Sequence, residues 1–85
     1  MGKYRIEIKR SAVKEIDRLS RNDLRSVRTK IESLAENPRP FDCQKLSSQE
    51  RYRVRVGDYR ILYSIEDDVL IVFIVKVAHR REAYR

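Results

Sequence analysis

Arg51-Tyr52-Arg53-Val54-Arg55-Val56-Gly57-Asp58-Tyr59-Arg60-Ile61-Leu62-Tyr63-Ser64-Ile65 is the stretch that decides the fold. Its first six residues alternate strictly, Tyr52, Val54 and Val56 against Arg51, Arg53 and Arg55, the period of two of a strand with one buried face. Gly57-Asp58 stands where a two-residue hairpin loop would stand, with glycine in the first central position as a type II′ turn favours. Tyr59 to Ile65 is the returning strand. This hairpin sets Val56 opposite Tyr59 and Arg55 opposite Arg60, with both arginines on the face away from Val54 and Ile61. Like charges directly opposite destabilise a sheet. Arg53 lies two residues along on the same face, so three guanidinium groups come within reach of one anion. A phosphate or acidic ligand explains that better than stability does, although long arginines also splay into water and cover apolar surface with their stems.

Upstream, Lys3 to Lys9 alternates Tyr4, Ile6 and Ile8 with Arg5 and Glu7, which predicts a first strand. From Ser11 the period changes. Val13, Ile16 and Leu19 gather on one side of a short helix, leaving Lys14, Asp17 and Arg18 to water. Ser20 and Asp23 have capping-box spacing, and Leu24, Val27, Ile31 and Leu34 mark the stripe of a longer second helix. Asn37-Pro38-Arg39-Pro40 ends it, and a loop through Asp42, Gln44 and Ser48 leads into the hairpin.

Downstream, Glu66-Asp67-Asp68 reads as a second turn, solvated rather than cation-binding. Val69 to Val75 is a continuous apolar run suited to a central strand. Ala78 to Arg85 reads as a polar functional tail. The expected architecture is α+β in the order β-α-α-β-β-β: a mostly antiparallel four-stranded sheet with a helical hairpin on one face.

The 85 residues carry 20 Lys+Arg against 13 Asp+Glu, a net charge of +7. That length allows one domain spanning 1–85, and the charge predicts a polyanionic partner. Residues 1 to 40 hold 11 Lys+Arg and 6 Asp+Glu, so most of the excess lies outside the hairpin. Lys14, Arg18, Arg21, Arg25 and Arg28 are candidate contacts to RNA or to an acidic partner segment. The lone Cys43 makes no intramolecular disulfide, the N-terminus lacks a signal-peptide pattern and the longest apolar run is far too short to span a membrane. A cytoplasmic chain without membrane attachment is expected.

The chain has no phosphate-binding glycine loop, no Gly-x-Ser-x-Gly elbow, no Cys/His nucleophilic pair and no zinc-ligand spacing. Neither metal nor cofactor is implied. Cationic groups with a proton acceptor suit one reaction in particular, attack by an RNA 2′-hydroxyl on its adjacent phosphate, in which the substrate brings its own nucleophile. His79, Arg80 and Tyr84 follow the last strand and are placed to reach the rim of the arginine face. Histidine titrates near neutrality, and tyrosine becomes a base only if neighbouring cations lower its pKa.

Asn37-Pro38-Arg39 followed by Lys45-Leu46, the run Tyr52 to Tyr63, and Val77-Ala78-His79-Arg80-Arg81-Glu82-Ala83-Tyr84 together resemble the RelE-type toxins of the RelE/ParE toxin–antitoxin superfamily. The resemblance covers nearly the whole chain. It implies an mRNA interferase that enters the ribosomal A site, contacts rRNA there, cleaves mRNA, and is neutralised in a hetero-oligomer by a cognate antitoxin. It assigns phosphate binding and charge stabilisation to Arg53, Arg55, Arg60 and Arg80, and activation of the 2′-hydroxyl to Tyr84. Well-studied members carry lysines at the positions of Arg53 and Arg55. Arginine does not give up its proton, so these two are electrostatic clamps, which leaves His79 as the candidate acid. The ParE-like branch, which poisons DNA gyrase, is the alternative within the superfamily; Arg60, Arg80 and Tyr84 together favour RelE. A basic binding module without chemistry is the alternative from another class.

Overall fold

In the computed structural model, residues 2–46 and 51–79 are described. Strand β1 (Arg5–Ile8) leads into helices α1 (Arg10–Asp17) and α2 (Arg21–Leu34), and these are followed by β2 (Gln44–Leu46), β3 (Arg51–Val56), β4 (Tyr59–Glu66) and β5 (Ile71–His79). The strands form one sheet in the order β1-β5-β4-β3-β2. β1 runs parallel to β5, and every other pairing is antiparallel. The α+β class and the helical hairpin over one face are as expected.

The sheet has five strands rather than four, because Gln44–Leu46 pairs with β3 along what would otherwise be its open edge. Three residues reading Gln-Lys-Leu have no alternation to betray them; the unpaired backbone groups of β3 supply the reason to pair. The last strand also starts later than the apolar run. Val69 is 55% exposed in the turn and Leu70 adopts a φ of 56°, so β5 begins at Ile71 and reaches His79.

The β3–β4 hairpin has the expected register, Val56 opposite Tyr59 and Arg55 opposite Arg60. Gly57 has a φ of 57° and Asp58 a negative φ, the combination of a type II′ turn. The Ser20 hydroxyl caps α2 by accepting the Asp23 N–H at 3.3 Å, a contact worth about 1 kcal/mol.

The core lies between the helices and the inner sheet face. Val27, Ile31 and Leu34 of α2 meet Tyr52 and Val54 of β3, Ile61, Tyr63 and Ile65 of β4, and Val72, Ile74 and Val77 of β5. Each of these aliphatic side chains contributes about 1.5–3 kcal/mol by leaving water. Leu24 is half-buried at the edge. In α1 the buried residue is Ala12, and Val13 is exposed. The small alanine lets α1 close on β5, with Ile16 and, past the helix end, Leu19 packing at the margin.

A polar clip ties the segment after α2 to the sheet. The Arg39 guanidinium donates to both carboxylate oxygens of Asp67, at 3.1 and 2.8 Å, and to the Tyr52 hydroxyl at 3.1 Å. The Tyr4 hydroxyl donates to Asp67 at 2.7 Å. Tyr52 stacks on Tyr63, whose hydroxyl donates to the Pro38 carbonyl at 2.7 Å. Asp67 therefore does more than cap a solvated turn.

Candidate functional site

Alternation along β3 and β4 sends Tyr52, Val54, Ile61 and Tyr63 to the core and Arg53, Arg55 and Arg60 to the face without helices. Arg60 is 3% exposed, Arg53 is half-buried and Arg55 is exposed. The three do not share one open space. Arg53 and Arg55 line a cleft of about 270 Å³ with Asp42 and Gln44, and Arg55 and Arg60 line a smaller one of about 70 Å³ with Gly57, Asp58 and Tyr59. Arg55 belongs to both. Across the sheet, Arg60 stands opposite Ala78, and Lys76 stands opposite Leu62 on the same face, adding another cation.

The larger cleft is built by the pinned segment ahead of β2. Arg53 donates to the Gln44 side-chain oxygen, a contact made possible by the Gln44–Arg53 register of the fifth strand. Asp42 pairs with Lys30 of α2 at 2.8 Å, and that ammonium holds its carboxyl below the usual carboxylate range. A carboxylate so stabilised is a poor proton acceptor. What this face offers among the described residues is anion binding and neutralisation of negative charge. Asp42 and Gln44 were not singled out by sequence, because the signal for their placement is the short strand that carries no pattern.

His79 is not brought to this face. It pairs with Tyr59, whose side chain alternates with Arg60, and its ring meets that of Tyr59 edge-on, with centroids 5.4 Å apart and planes at 86°. Both border a cleft of about 200 Å³ with Glu15, Arg18 and Leu19 on the helix side of the sheet. The expectation that His79 swings to the arginine rim is corrected by the alternation along β5, which one extra residue at Val75 shifts by a position. Arg80 and Tyr84 lie outside the described residues.

Lys14, Arg18, Arg21, Arg25 and Arg28 are exposed on the helical layer, across the sheet from Arg53 and Arg55. Arg28 pairs with Glu32 at 3.3 Å, and Arg18 borders the His79 cleft. Diffuse and focused positive charge thus occupy opposite sides. Among the described residues, no group of His, Cys, Asp or Glu side chains could hold a metal ion, and no helix is long and apolar enough to cross a membrane.

Comparison with known proteins agrees with this architecture. The RelE1 protein of Methanocaldococcus jannaschii is 36% identical over 98% of this chain and 97% of its own length. The RelE of the archaeal RelE–RelB complex from Pyrococcus horikoshii superposes with a TM-score of 0.84 at 30% identity, covering 92% of this chain and 96% of that one. The Mycobacterium tuberculosis toxin–antitoxin complex RelBE2 contains a chain matching at a TM-score of 0.80 and 26% identity, over 91% of this chain and 98% of that one. The family model of the ParE toxin of type II toxin–antitoxin systems matches residues 6–84. With this span matched and RelE proteins among its relatives, the chain belongs to the ParE toxin family of the RelE/ParE superfamily and is a RelE-like toxin of a type II toxin–antitoxin system.

Proposed function

We propose that this toxin is a RelE-type, ribosome-dependent mRNA interferase that cleaves mRNA in the A site, acting as a single domain in the cytoplasm. The observation that carries the reading is Arg55 set directly opposite Arg60 and shared between two adjoining clefts, one lined with Arg53 and the other with Arg60. A fold gains nothing in stability from that opposition, whereas a scissile phosphate gains several charge-assisted hydrogen bonds. The RNA 2′-oxygen attacks phosphorus as the P–O5′ bond breaks, leaving a 2′,3′-cyclic phosphate and a 5′-oxygen that takes its proton from water to end as a 5′-hydroxyl. Arg53 and Arg55 grip the phosphate, and Arg60 and Arg80 neutralise charge accumulating on the phosphorane-like transition state. Tyr84 takes the 2′-hydroxyl proton. Because the nucleophile comes from the substrate, neither metal nor cofactor is needed to generate one.

The partners that follow are mRNA, the ribosomal A site with its rRNA, and a cognate antitoxin that forms a hetero-oligomer with the toxin. The last is supported by relatives crystallised as RelE–RelB complexes. A gyrase-directed activity is the second reading, favoured by the ParE description of the matching family. Mapping mRNA ends in a translating extract, with a gyrase supercoiling assay in parallel, separates the two. Codon-register cleavage that disappears in Arg60→Ala and Tyr84→Phe supports the interferase; inhibited supercoiling with intact mRNA supports the gyrase inhibitor.

A further inference from the structure

Phe41 is completely exposed, at 102% of its reference area, although the chain on both sides of it is firmly held. Before it, Arg39 is clamped to Asp67 and Tyr52, and the carbonyl of the buried Pro38 accepts the Tyr63 hydroxyl. After it, the Cys43 N–H closes a turn onto the Pro40 carbonyl at 3.0 Å, and Asp42 is paired with Lys30 at 2.8 Å. The phenyl ring is therefore presented at the tip of a braced turn. Its immediate neighbour, Asp42, lines the cleft of Arg53 and Arg55.

We propose that Phe41 is a stacking platform for an RNA base whose neighbouring phosphate occupies the Arg53–Arg55 cleft. The inference rests on the RNA reading of that cleft and adds a base contact to it. An apolar ring that the fold leaves in water, one residue along the chain from the Asp42 wall of a cleft lined by two arginines, has the two elements of single-strand recognition: a π-face for the base and positive charge for the backbone. Bracing matters, because a ring held in place before binding loses little freedom when a base settles on it. An acidic protein segment would use the cations but would not require a planar partner for the phenyl.

The test is equilibrium binding of the full-length toxin to two labelled single-stranded hexamers with equal numbers of phosphates. One is a 2′-O-methyl RNA, which cannot be cleaved because its 2′-oxygen is blocked, and the other is its abasic counterpart. Phe41→Ala is expected to weaken binding of the base-bearing oligomer about tenfold and leave the abasic one unchanged. Phe41→Trp should retain affinity, and its indole, the only one in a chain with no tryptophan, should be quenched on binding. If the double substitution Arg53→Ala/Arg55→Ala weakens both oligomers while Phe41→Ala changes neither, the phosphate cleft stands and the platform is overturned. If the arginine substitutions change neither oligomer, both readings fall. Loss of antitoxin binding alone in Phe41→Ala would assign the ring to a protein interface and also overturn the proposal.

Discussion

Arg55 and Arg60 stand directly opposite each other across the β3–β4 hairpin, one exposed and the other 3% exposed. Replacing the exposed member relieves a like-charge pair without opening the core. Arg55→Thr should therefore raise stability by about 0.2–1 kcal/mol in urea titrations. The same substitution should weaken single-stranded RNA binding and lower the salt slope by about 0.7. A destabilised variant, or one with an unchanged slope, would mean that Arg55 serves the fold rather than a ligand.

Glu15 of α1 accepts the Val77 N–H at 3.0 Å and pairs with Lys76 at 3.4 Å. The contact lies just past the bulge, where Leu62 pairs with Lys76 but Tyr63 pairs with Ile74, so that Val75 is the extra residue. Val77 itself is in register with Ile61, but β1 pairs β5 only as far as Ile74, and Glu15 takes up the Val77 N–H beyond that point. Glu15→Ala should cost about 1–3 kcal/mol by orphaning that donor. Glu15→Gln keeps an acceptor and should lose under about 1 kcal/mol. Equal losses in the two variants would place the effect in the ion pair.

Asp67 is held down to about 2 by the Arg39 guanidinium first and the Tyr4 hydroxyl second, from an ordinary value of 3.8. A depressed carboxyl contributes stability that is fully present above its unfolded value and is lost as pH falls through the folded one. The acid limb of thermal stability between about pH 4 and pH 2 should accordingly flatten in Asp67→Asn. An unaltered acid limb would show that other carboxyls govern it.

Arg21, Arg25 and Arg28 lie on the helical layer, across the sheet from the cleft. Changing all three to glutamine should weaken ribosome association and flatten its salt dependence by roughly one unit per lost phosphate contact. Cleavage within the bound complex should persist at the wild-type rate. An unchanged salt slope would leave them as ordinary surface charge.

Where side-chain periodicity carries the information, the sequence is a sufficient guide. The Arg55–Arg60 opposition follows from counting across Gly57-Asp58, and the α2 stripe follows from Val27, Ile31 and Leu34. Other features depend on contacts remote in sequence. β2 exists because β3 has an edge to pair, Ala12 displaces Val13 because closeness to β5 outweighs hydrophobicity, and His79 changes face through one bulged residue at Val75. The burial of Arg60 and the Arg39–Asp67 clip lay equally out of reach, since neither spacing nor composition brings residues 28 positions apart together.

The most direct test is single-turnover cleavage of mRNA on programmed ribosomes by the wild-type toxin and by Arg53→Ala/Arg55→Ala. Cleavage should fall in the A-site codon and leave 2′,3′-cyclic phosphate ends, and the double substitution should slow it by at least about 100-fold while the protein remains folded. An inert wild-type toxin, or a double variant that cleaves at the wild-type rate, would contradict the assignment of the arginine face to the scissile phosphate.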